Sequence, residues 1–266
     1  MLAIPATTGR RAVPALQPFL AYLRLELRRA TRNRRYLVMT VVFPVVIYVL
    51  YTAIIPAAAS DQTVGGLTWP VYFLVSMAAY GAIGAAMSQA VPVATERRQG
   101  WTRQLRVTPL PGMAYVGAKA VTAIALTVPS IALVVGAGSI VNHLGIGLST
   151  GIPLVIALAF GAAPFAALGL LIGYVLDAES AQGGMVLTLF TMAILGGLFA
   201  PLESLPPTMA TIGWMLPSSH LASLGRAVAA GTPPGLADIA VLAAWTAVIG
   251  SLAAWRYVRD ERQGRG

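Results

Sequence analysis

The amino-acid sequence predicts an all-α membrane protein with six transmembrane helices, and three observations support this fold class. Hydrophobic residues make up 57% of the 266 residues and charged residues only 10%, whereas soluble domains carry about 25% charged residues. Apolar stretches of the length that a helix needs to cross a bilayer recur along the chain. The basic residues are concentrated in three segments, which an even number of spans would place on one side of the membrane.

Six apolar stretches are long enough to span a membrane. The predicted spans are 36–56, 69–91, 113–141, 152–176, 182–200 and 235–255. The first resembles a secretory signal, but its uncharged run follows a basic stretch and is longer than a signal core, which favours a spanning helix. Pro44, Pro129 and Pro164 lie inside spans. Membrane helices tolerate proline where a neighbouring helix satisfies the freed carbonyl.

The distribution of lysine and arginine predicts the orientation of the chain. Seventeen of the 18 basic residues lie in the N-terminal segment, in the segment from the end of span two to Lys119, or in the C-terminal tail, whereas Arg226 lies on the other side. Because cytoplasmic segments are enriched in lysine and arginine, we predict that residues 1–35 form a cytoplasmic or interfacial N-terminus and residues 256–266 a cytoplasmic tail. A net charge of +9 can also indicate nucleic-acid binding. These arginines adjoin apolar spans, however, so we expect membrane lipid and no nucleic acid as a partner.

The segment before span one has the pattern of an amphipathic helix over residues 12–35. Apolar residues recur at steps of three and four, and basic residues form a second face. The apolar set is Leu16, Phe19, Leu20, Leu23 and Leu27, and the basic set is Arg24, Arg28, Arg32 and Arg35. This pattern predicts a helix that lies in the headgroup layer. The alternative is a basic tail that only sets the topology.

The segment 201–234, between spans five and six, is too apolar for a solvated loop, yet prolines divide it into pieces too short to span. We predict two short helices, over about 206–215 and 218–230, that re-enter the outer leaflet and form a candidate gate. The candidate gate residues are Glu203, Pro206 and Arg226. The carboxylate of Glu203 either pairs with Arg226 or caps the first short helix.

The sequence lacks the motifs of an enzyme or of a metal site. It contains no GxxxxGK[ST] phosphate loop and no HExxH motif. Ser219 and His220 are adjacent, but no third group is evident that would orient a catalytic base, so helix capping after Pro217 is the preferred interpretation. No acidic residue lies near the middle of a span, which disfavours an internal proton relay. We therefore predict no catalytic residue, no metal and no cofactor bound by this chain.

The segment 92–112, PVATERRQGWTRQLRVTPLPG, is polar and basic although it lies between two apolar spans. We predict an amphipathic helix over 95–107 that ends at Pro109, with Trp101 and Leu105 packed against an apolar partner. Such a helix can dock on another protein. The alternative is an interfacial helix on anionic lipid, which would use the same arginines.

The order of residues in this segment resembles the coupling segment of ABC type-2 exporter permeases. The resemblance consists of Glu96 and Gly100 in an E-x-x-x-G pattern, followed by L-R-x-T-P-L from Leu105 to Leu110. Three further stretches resemble the same family: RNRRYLVMTVVFP at 32–44, GGLFAPLESLPP at 196–207 and LPSSHLASLGRAVAAG at 216–231. The resemblance covers essentially the whole chain and is closest to the drug and antibiotic-resistance branch.

This resemblance implies that residues 1–266 form a single permease domain in a bacterial cell membrane, with both termini cytoplasmic. The permease would work with a second permease copy or a paralogue, and with two separate ABC ATPase subunits that bind ATP and Mg²⁺. The residues implied to contact the ATPase are Glu96, Arg97, Gly100, Arg103, Gln104 and Leu105. The implied cargo is a hydrophobic or amphipathic compound, such as a drug, an antibiotic or a lipid, moved outward. The residues that bind it stay unknown, since the family has no fixed substrate motif.

A stand-alone secondary transporter or channel is the alternative function. It would require ionisable residues within the membrane or an internal repeat, and neither is evident in the sequence. A membrane enzyme is disfavoured by the missing catalytic motifs.

Overall fold

The computed structural model describes residues 16–32, 38–54, 63–101, 104 and 112–263. Helices account for most of this part of the chain, and its strands form one two-stranded hairpin. Several of the helices contain an apolar stretch long enough to cross a membrane. The predicted fold class, an all-α membrane protein, is therefore confirmed.

The N-terminal helix α1 spans Leu16–Thr31, within the predicted amphipathic segment. Its inner face packs against a later helix and buries Tyr22 and Glu26. Part of the predicted apolar stripe faces away from the protein, since Leu16 is 64% exposed and Leu20 is 51% exposed. This orientation suits a helix that lies on a membrane surface.

The first predicted span is represented by a π-helical turn, Val38–Val42, followed by helix α2, Phe43–Ile54. Pro44 has no N–H and cannot donate to the carbonyl of Thr40, four residues earlier. The hydroxyl of Ser130, from a neighbouring helix, donates to that carbonyl at 2.6 Å. The expectation that a neighbouring helix satisfies the carbonyl freed by a proline is confirmed at this position.

A short hairpin precedes span two and was not predicted from the sequence. Strand β1, Thr63–Val64, pairs with strand β2, Leu67–Thr68, in antiparallel register. Gly65 and Gly66 form the turn with φ angles of 59° and 81°. Two consecutive positive φ angles match a two-residue hairpin turn of the kind that glycine favours.

The second span is the central helix of the structure. Helix α3, Trp69–Met87, is buried along most of its length, and helix α4, Ala90–Arg98, continues it after a turn at 88–89. Small residues allow neighbouring helices to approach α3 closely. A Cβ atom on Gly81 would lie 2.7 Å from the hydroxyl of Ser130.

Four further helices follow in the middle of the chain. Helix α5 spans Gly112–Val141, close to the predicted third span. The fourth predicted span consists of two helices, α6 over Leu148–Gly161 and α7 over Ala163–Val175. The break arises at Pro164, which lies in the first turn of α7, where its missing N–H requires no partner. Helix α8, Ser180–Leu195, corresponds to the predicted fifth span.

The segment between the last two predicted spans contains a 3₁₀ turn, Leu202–Ser204, and two short helices. Helix α9 spans Pro207–Gly213 and helix α10 spans Pro217–Ala229, within the segment for which two short helices were predicted. Their re-entry into the outer leaflet stays a prediction. Helix α10 packs on α3, α6 and the final helix, α11, which spans Leu236–Gln263.

Four helical segments of the described chain are long and apolar enough to cross a membrane. They are Trp69–Arg98, Met113–Val141, Leu148–Val175 and Leu236–Asp260. Two further apolar helices, Thr40–Ile54 and Ser180–Leu195, are shorter. The chain is thus a multi-pass membrane protein, and the count of six spans stays a prediction.

Contacts between distant segments define two ends of the helix bundle. At one end, here named the basic end, α1 and α4 meet the start of α5 and the last residues of α7 and α11. At the other, the distal end, α10 meets the start of α3 and of α11, and α9 packs on α8. The three basic segments of the sequence therefore converge on one end where the structure describes them.

Candidate functional site

The basic end contains a buried ionic cluster centred on Lys119 of α5. Its side chain is 0% exposed, and its ammonium group donates to Glu26 Oε2 of α1 at 2.7 Å and to Glu96 Oε1 of α4 at 2.8 Å. The side chains of Glu26 and Glu96 are 3% and 13% exposed. Tyr115, one turn before Lys119, donates its hydroxyl to Glu96 Oε2 at 2.7 Å. The Glu26–Lys119–Glu96 triad thus joins three helices.

The triad fixes the relative positions of its three helices, because each of its buried charges requires the others as partners. A buried charge is tolerated only where partners compensate for the lost hydration, and hydrogen bonds between charged groups are stronger than neutral ones. Two carboxylates face one ammonium group, and the guanidinium of Arg29 lies 3.6 Å from Glu26 on the exposed side. Displacing any one helix would separate buried charges, so α1, α4 and α5 are held in one relative position.

Aromatic side chains surround the triad. The rings of Tyr22 and Tyr115 are 5.9 Å apart, and those of Tyr115 and Tyr257 are 6.2 Å apart. Burial, together with the negative charges of Glu96 and Glu26, raises the pKa of Tyr22, so its hydroxyl stays protonated. This apolar surrounding lowers the local dielectric and strengthens the ion pairs inside it.

Arg97, the neighbour of Glu96, makes a second set of contacts with different helices. Its Nε lies 3.0 Å from Asp260 Oδ2 of α11, and its Nη1 donates to the carbonyl of Gly173 at 2.9 Å and that of Leu176 at 3.4 Å. Both carbonyls belong to the C-terminal end of α7, where helix carbonyls lack intrahelical partners and carry partial negative charge. Arg97 thus links α4 to α7 and α11.

Helix α4 can approach α7 this closely because residue 173 is glycine. A Cβ atom at Gly173 would lie 2.7 Å from the carbonyl oxygen of Ala90 and 2.7 Å from Cβ of Val93. Backbone atoms cannot move aside as a flexible side chain can. The contact between α4 and α7 therefore depends on this glycine.

The predicted helix over 95–107 is wrong in one respect, because it is interrupted at Gly100. Helix α4 ends at Arg98, and Gly100 has a φ of +69°. A left-handed glycine just after the last helical residue is a common helix terminator. The sequence prediction treated Gly100 as an interior residue of one continuous helix, whereas it separates α4 from the rest of the coupling segment.

Beyond Gly100 the structure describes two residues of the coupling segment. Gln104 is exposed, and its N–H donates to the carbonyl of Gly100 at 3.4 Å. The guanidinium of Arg29 lies 5.1 Å from the ring centroid of Trp101. The apolar contact expected for this tryptophan comes from the buried cluster that contains Tyr22 and Tyr115. A cleft of about 340 Å³ lies between α1 and α4 and is lined by Arg29, Val91, Pro92, Thr95, Glu96, Gln99 and Trp101.

The six predicted coupling residues do not share one surface where the structure describes them. Glu96 and Arg97 face other helices of their own chain, Gly100 forms the turn, and Gln104 is exposed. The remaining two, Arg103 and Leu105, lie outside the described residues.

Glu26 and Tyr115 were not predicted from the sequence as site residues, and Lys119 entered only the prediction of topology. Two signals were present in the sequence. Lys119 is the only lysine of the chain and lies in an apolar span, and Glu26 is the only acidic residue before Asp61. An ionisable residue inside a predicted span requires a partner, and Glu26 was an available candidate.

The predicted gate residues lie apart at the distal end. Glu203 is exposed in the 3₁₀ turn, and Pro206 immediately precedes α9. The guanidinium of Arg226, on α10, lies 4.7 Å from the ring centroid of Tyr72. Among the described residues Arg226 makes no ion pair with Glu203, and no side-chain hydrogen bond caps α9. Neither role expected for the Glu203 carboxylate is therefore seen.

A histidine–aspartate pair joins α10 to α11 at the distal end. His220 Nδ1 lies 2.7 Å from Asp238 Oδ1, and His220 Nε2 lies 2.9 Å from the carbonyl oxygen of Trp214. Ser223 donates to Asp238 Oδ2 at 2.8 Å. The hydroxyl of Ser219 donates to the carbonyl of Gly213 at 2.7 Å. Ser219 and His220 thus make structural contacts, but no side-chain hydrogen bond caps α10, so the helix-capping role expected after Pro217 is not seen.

Comparison with known proteins identifies the family of this chain. Residues 64–255 match the family model described as ABC-2 family transporter protein. The chain is also similar to YvfS of Bacillus subtilis (strain 168), which is named provisionally as a transport permease. The two are 29% identical over 239 residues, which cover 90% of this chain and 95% of that protein. Because the family model includes every described element from α3 to most of α11, the chain belongs to the ABC-2 transporter family.

Proposed function

We propose that this chain is the permease subunit of an ATP-driven exporter, and that α4 passes movement of a partner ATPase to the membrane helices. Family membership supports the general part: the chain is an ABC transporter permease that associates with ABC ATPase subunits. The finer part concerns which residues transmit the movement, in which direction transport runs, and what is carried.

The observation that carries the proposal is the division of contacts between two adjacent residues of α4. Glu96 holds α1 and α5 through the triad, and Arg97 holds α7 and α11. Consecutive residues project about 100° apart around a helix, so one short helix contacts two groups of neighbours. A displacement of α4 would therefore reach four helices at once, as expected of a rigid element in a domain movement.

The ATPase would contact the surface next to α4 rather than Glu96 and Arg97 themselves. Arg98 and Gln99 are exposed at the end of α4, Gln104 is exposed beyond the turn, and the cleft between α1 and α4 opens beside Trp101. We assign direct ATPase contact to the residues after Gly100, including Arg103, Gln104 and Leu105. Glu96 and Arg97 then do not touch the ATPase themselves, and instead connect the contact surface to the membrane helices.

The complete exporter in this proposal contains two ATPase subunits and a second permease copy or paralogue. ATP and Mg²⁺ bind to the ATPase subunits, since the sequence of this chain has no phosphate loop. The basic end faces the cytoplasm of a bacterium, and a hydrophobic or amphipathic compound moves outward. Support comes from the positive-inside distribution of arginine and from the resemblance to drug exporters.

Purification of the permease from its own membrane tests the partner. We expect an ABC ATPase to co-purify, identified by mass spectrometry, and ATP hydrolysis to drive uptake of a lipophilic fluorescent dye into inside-out vesicles. If no ATPase co-purifies, or if uptake follows a proton gradient without ATP, the proposal is overturned and a stand-alone transporter is favoured.

Substitution of Glu96 tests the route of coupling. Glu96→Gln keeps the shape of the side chain but removes its charge, and we expect ATPase binding to persist while uptake per ATP falls by about tenfold, the effect of roughly 1.4 kcal/mol. The matched control is Glu179→Gln, since Glu179 is 89% exposed and lies 3.6 Å from Arg98. If Glu96→Gln takes up as much dye per ATP as the control variant, Glu96 does not transmit movement from the ATPase to the membrane helices.

A further inference from the structure

Two buried N–H groups at the distal end have no hydrogen-bond partner. Arg226 Nη1 and Trp69 Nε1 are both buried and unsatisfied among the described residues. Both side chains contact the same ring, that of Tyr72. The guanidinium lies 4.7 Å from its centroid, and the indole ring stacks on it at 5.8 Å with an interplanar angle of 15°.

An unsatisfied buried donor is unfavourable, and more so when it is charged. Burial lowers the pKa of Arg226, as expected where the charged form has lost hydration. The contrast with Lys119 is informative, because that buried cation has two carboxylate partners. Stacking on Tyr72 compensates part of the cost for Arg226, but it leaves the guanidinium N–H without an acceptor.

The carboxylates nearest in the sequence do not supply this acceptor. Asp238 is held by His220 and Ser223. Glu203 is exposed and makes no ion pair with Arg226. The missing acceptor therefore comes from outside the described chain or from a rearranged Glu203, and these two cases can be separated by experiment.

We propose that Arg226 and Trp69 bind the anionic head group of an amphiphile, a phosphate or a carboxylate. The planar guanidinium matches two oxygens of an oxyanion, and the indole N–H of Trp69, stacked on the same Tyr72 ring, is a second unpaired donor among the described residues. Trp69 and Tyr72 lie in the first turn of an apolar helix, the level at which aromatic residues meet the head groups of a bilayer. An oxyanion at that level would be carried by a molecule whose apolar part lies in the membrane.

The amphiphile is either a membrane lipid or the transported compound. Binding itself follows from the distal-end geometry and requires no ATPase. The interpretation as transported compound rests on the proposed function.

The test uses the purified permease alone, in nanodiscs of phosphatidylcholine, with dodecyl phosphate as the probe and calorimetry as the measurement. We expect Arg226→Gln to weaken binding by about tenfold or more and Arg226→Lys by less, because lysine keeps the charge but loses the planar fork. Trp69→Phe keeps the ring and removes the N–H, and we expect a loss of about threefold. Thermal unfolding of each variant checks that it is folded.

The chain offers a matched control at its basic end. The guanidinium of Arg259 lies 5.3 Å from the ring of Trp255, and Arg259 is exposed. Arg259→Gln and Trp255→Phe remove a similar cation–aromatic pair, and we expect neither to change the binding of dodecyl phosphate. If Arg259→Gln weakens binding as much as Arg226→Gln, the probe reports general surface charge and the site is refuted.

Three further measurements identify the source of the acceptor. Glu203→Gln should leave binding unchanged or strengthen it, since it removes a competing negative charge. If Glu203→Gln weakens the binding of dodecyl phosphate as much as Arg226→Gln does, Glu203 instead forms a structural pair with Arg226. Inorganic phosphate should bind at least about tenfold more weakly than dodecyl phosphate, because it lacks the apolar chain, and equal binding would refute an amphiphile. ATP-driven uptake of bound dodecyl phosphate by vesicles identifies it as cargo, whereas binding without uptake identifies a lipid-type site.

Discussion

At the scale of single residues, Lys119 contributes most to the candidate site, because its charge is fully buried and compensated within one chain. Replacing one member of a buried ionic group leaves the other charges uncompensated, at a cost of about 3–5 kcal/mol. Lys119→Met would leave two carboxylates facing each other where their only buried cation had been. We expect Lys119→Met to lower the free energy of unfolding by about this amount, measured by chemical denaturation in detergent.

An exposed arginine provides the comparison for this prediction. Arg98 is 63% exposed and lies 3.6 Å from Glu179, so Arg98→Gln should cost about 0–1 kcal/mol. Replacing all three triad members with neutral residues should recover much of the stability lost in Lys119→Met, because the buried charge is then absent. A cost for Lys119→Met no larger than that of Arg98→Gln would contradict the importance of the triad.

At the scale of elements, the approach of α4 to α7 depends on a glycine. Gly173→Ala would place a Cβ atom 2.7 Å from the carbonyl oxygen of Ala90 and force the two helices apart. The hydrogen bond from Arg97 to the carbonyl of residue 173 would lengthen with them. We expect a lower midpoint of thermal unfolding and weaker coupling of ATP hydrolysis to uptake.

Gly183, on α8, is the matched control for this substitution. No heavy atom lies within 4 Å of a Cβ atom placed there. Alanine is favoured over glycine in a helix by about 0.5–1 kcal/mol, so Gly183→Ala should be neutral or stabilising. An unchanged thermal midpoint in Gly173→Ala would mean that α4 and α7 can separate without cost, and would weaken the proposed route through Arg97.

The elements were predicted well where composition alone determines them and poorly where a single residue does. Apolar stretches gave the approximate positions of the long helices, and the prolines that divide segment 201–234 gave those of α9 and α10. The turn at Gly100 and the hairpin at 65–66 were missed, because each depends on the φ angle that glycine adopts in its context. The triad was missed for another reason. Glu26 lies 93 residues and Glu96 lies 23 residues from Lys119, and such contacts depend on helix packing that hydropathy does not describe.

At the scale of the whole molecule, the ion pairs of the described chain are divided between the two ends of an apolar bundle. The triad and Arg97 lie at the basic end, and the His220–Asp238 pair lies at the distal end. Helix α3, which runs between the ends, contains no charged residue and is buried along most of its length. A change at one end would reach the other through the movement of whole packed helices, since no chain of polar contacts crosses the described core.

This division of ion pairs also predicts the membrane topology, and the number of spans depends on whether α8 crosses the membrane. Its 16 residues rise about 24 Å at 1.5 Å per residue, less than the roughly 30 Å of a hydrocarbon core. Glu179 precedes α8 at the basic end, and Thr208 lies beyond it on α9; both are exposed. Because the chain contains no cysteine, Glu179→Cys and Thr208→Cys each introduce a single reactive thiol. We expect a membrane-impermeant maleimide to label Thr208→Cys in intact cells and Glu179→Cys only after the membrane is opened. The reverse labelling pattern would mean that the orientation of the chain is inverted. Labelling of both variants in intact cells would show that α8 does not cross the membrane. The number of spans would then be odd, and the basic segments that the structure brings together would lie on opposite sides.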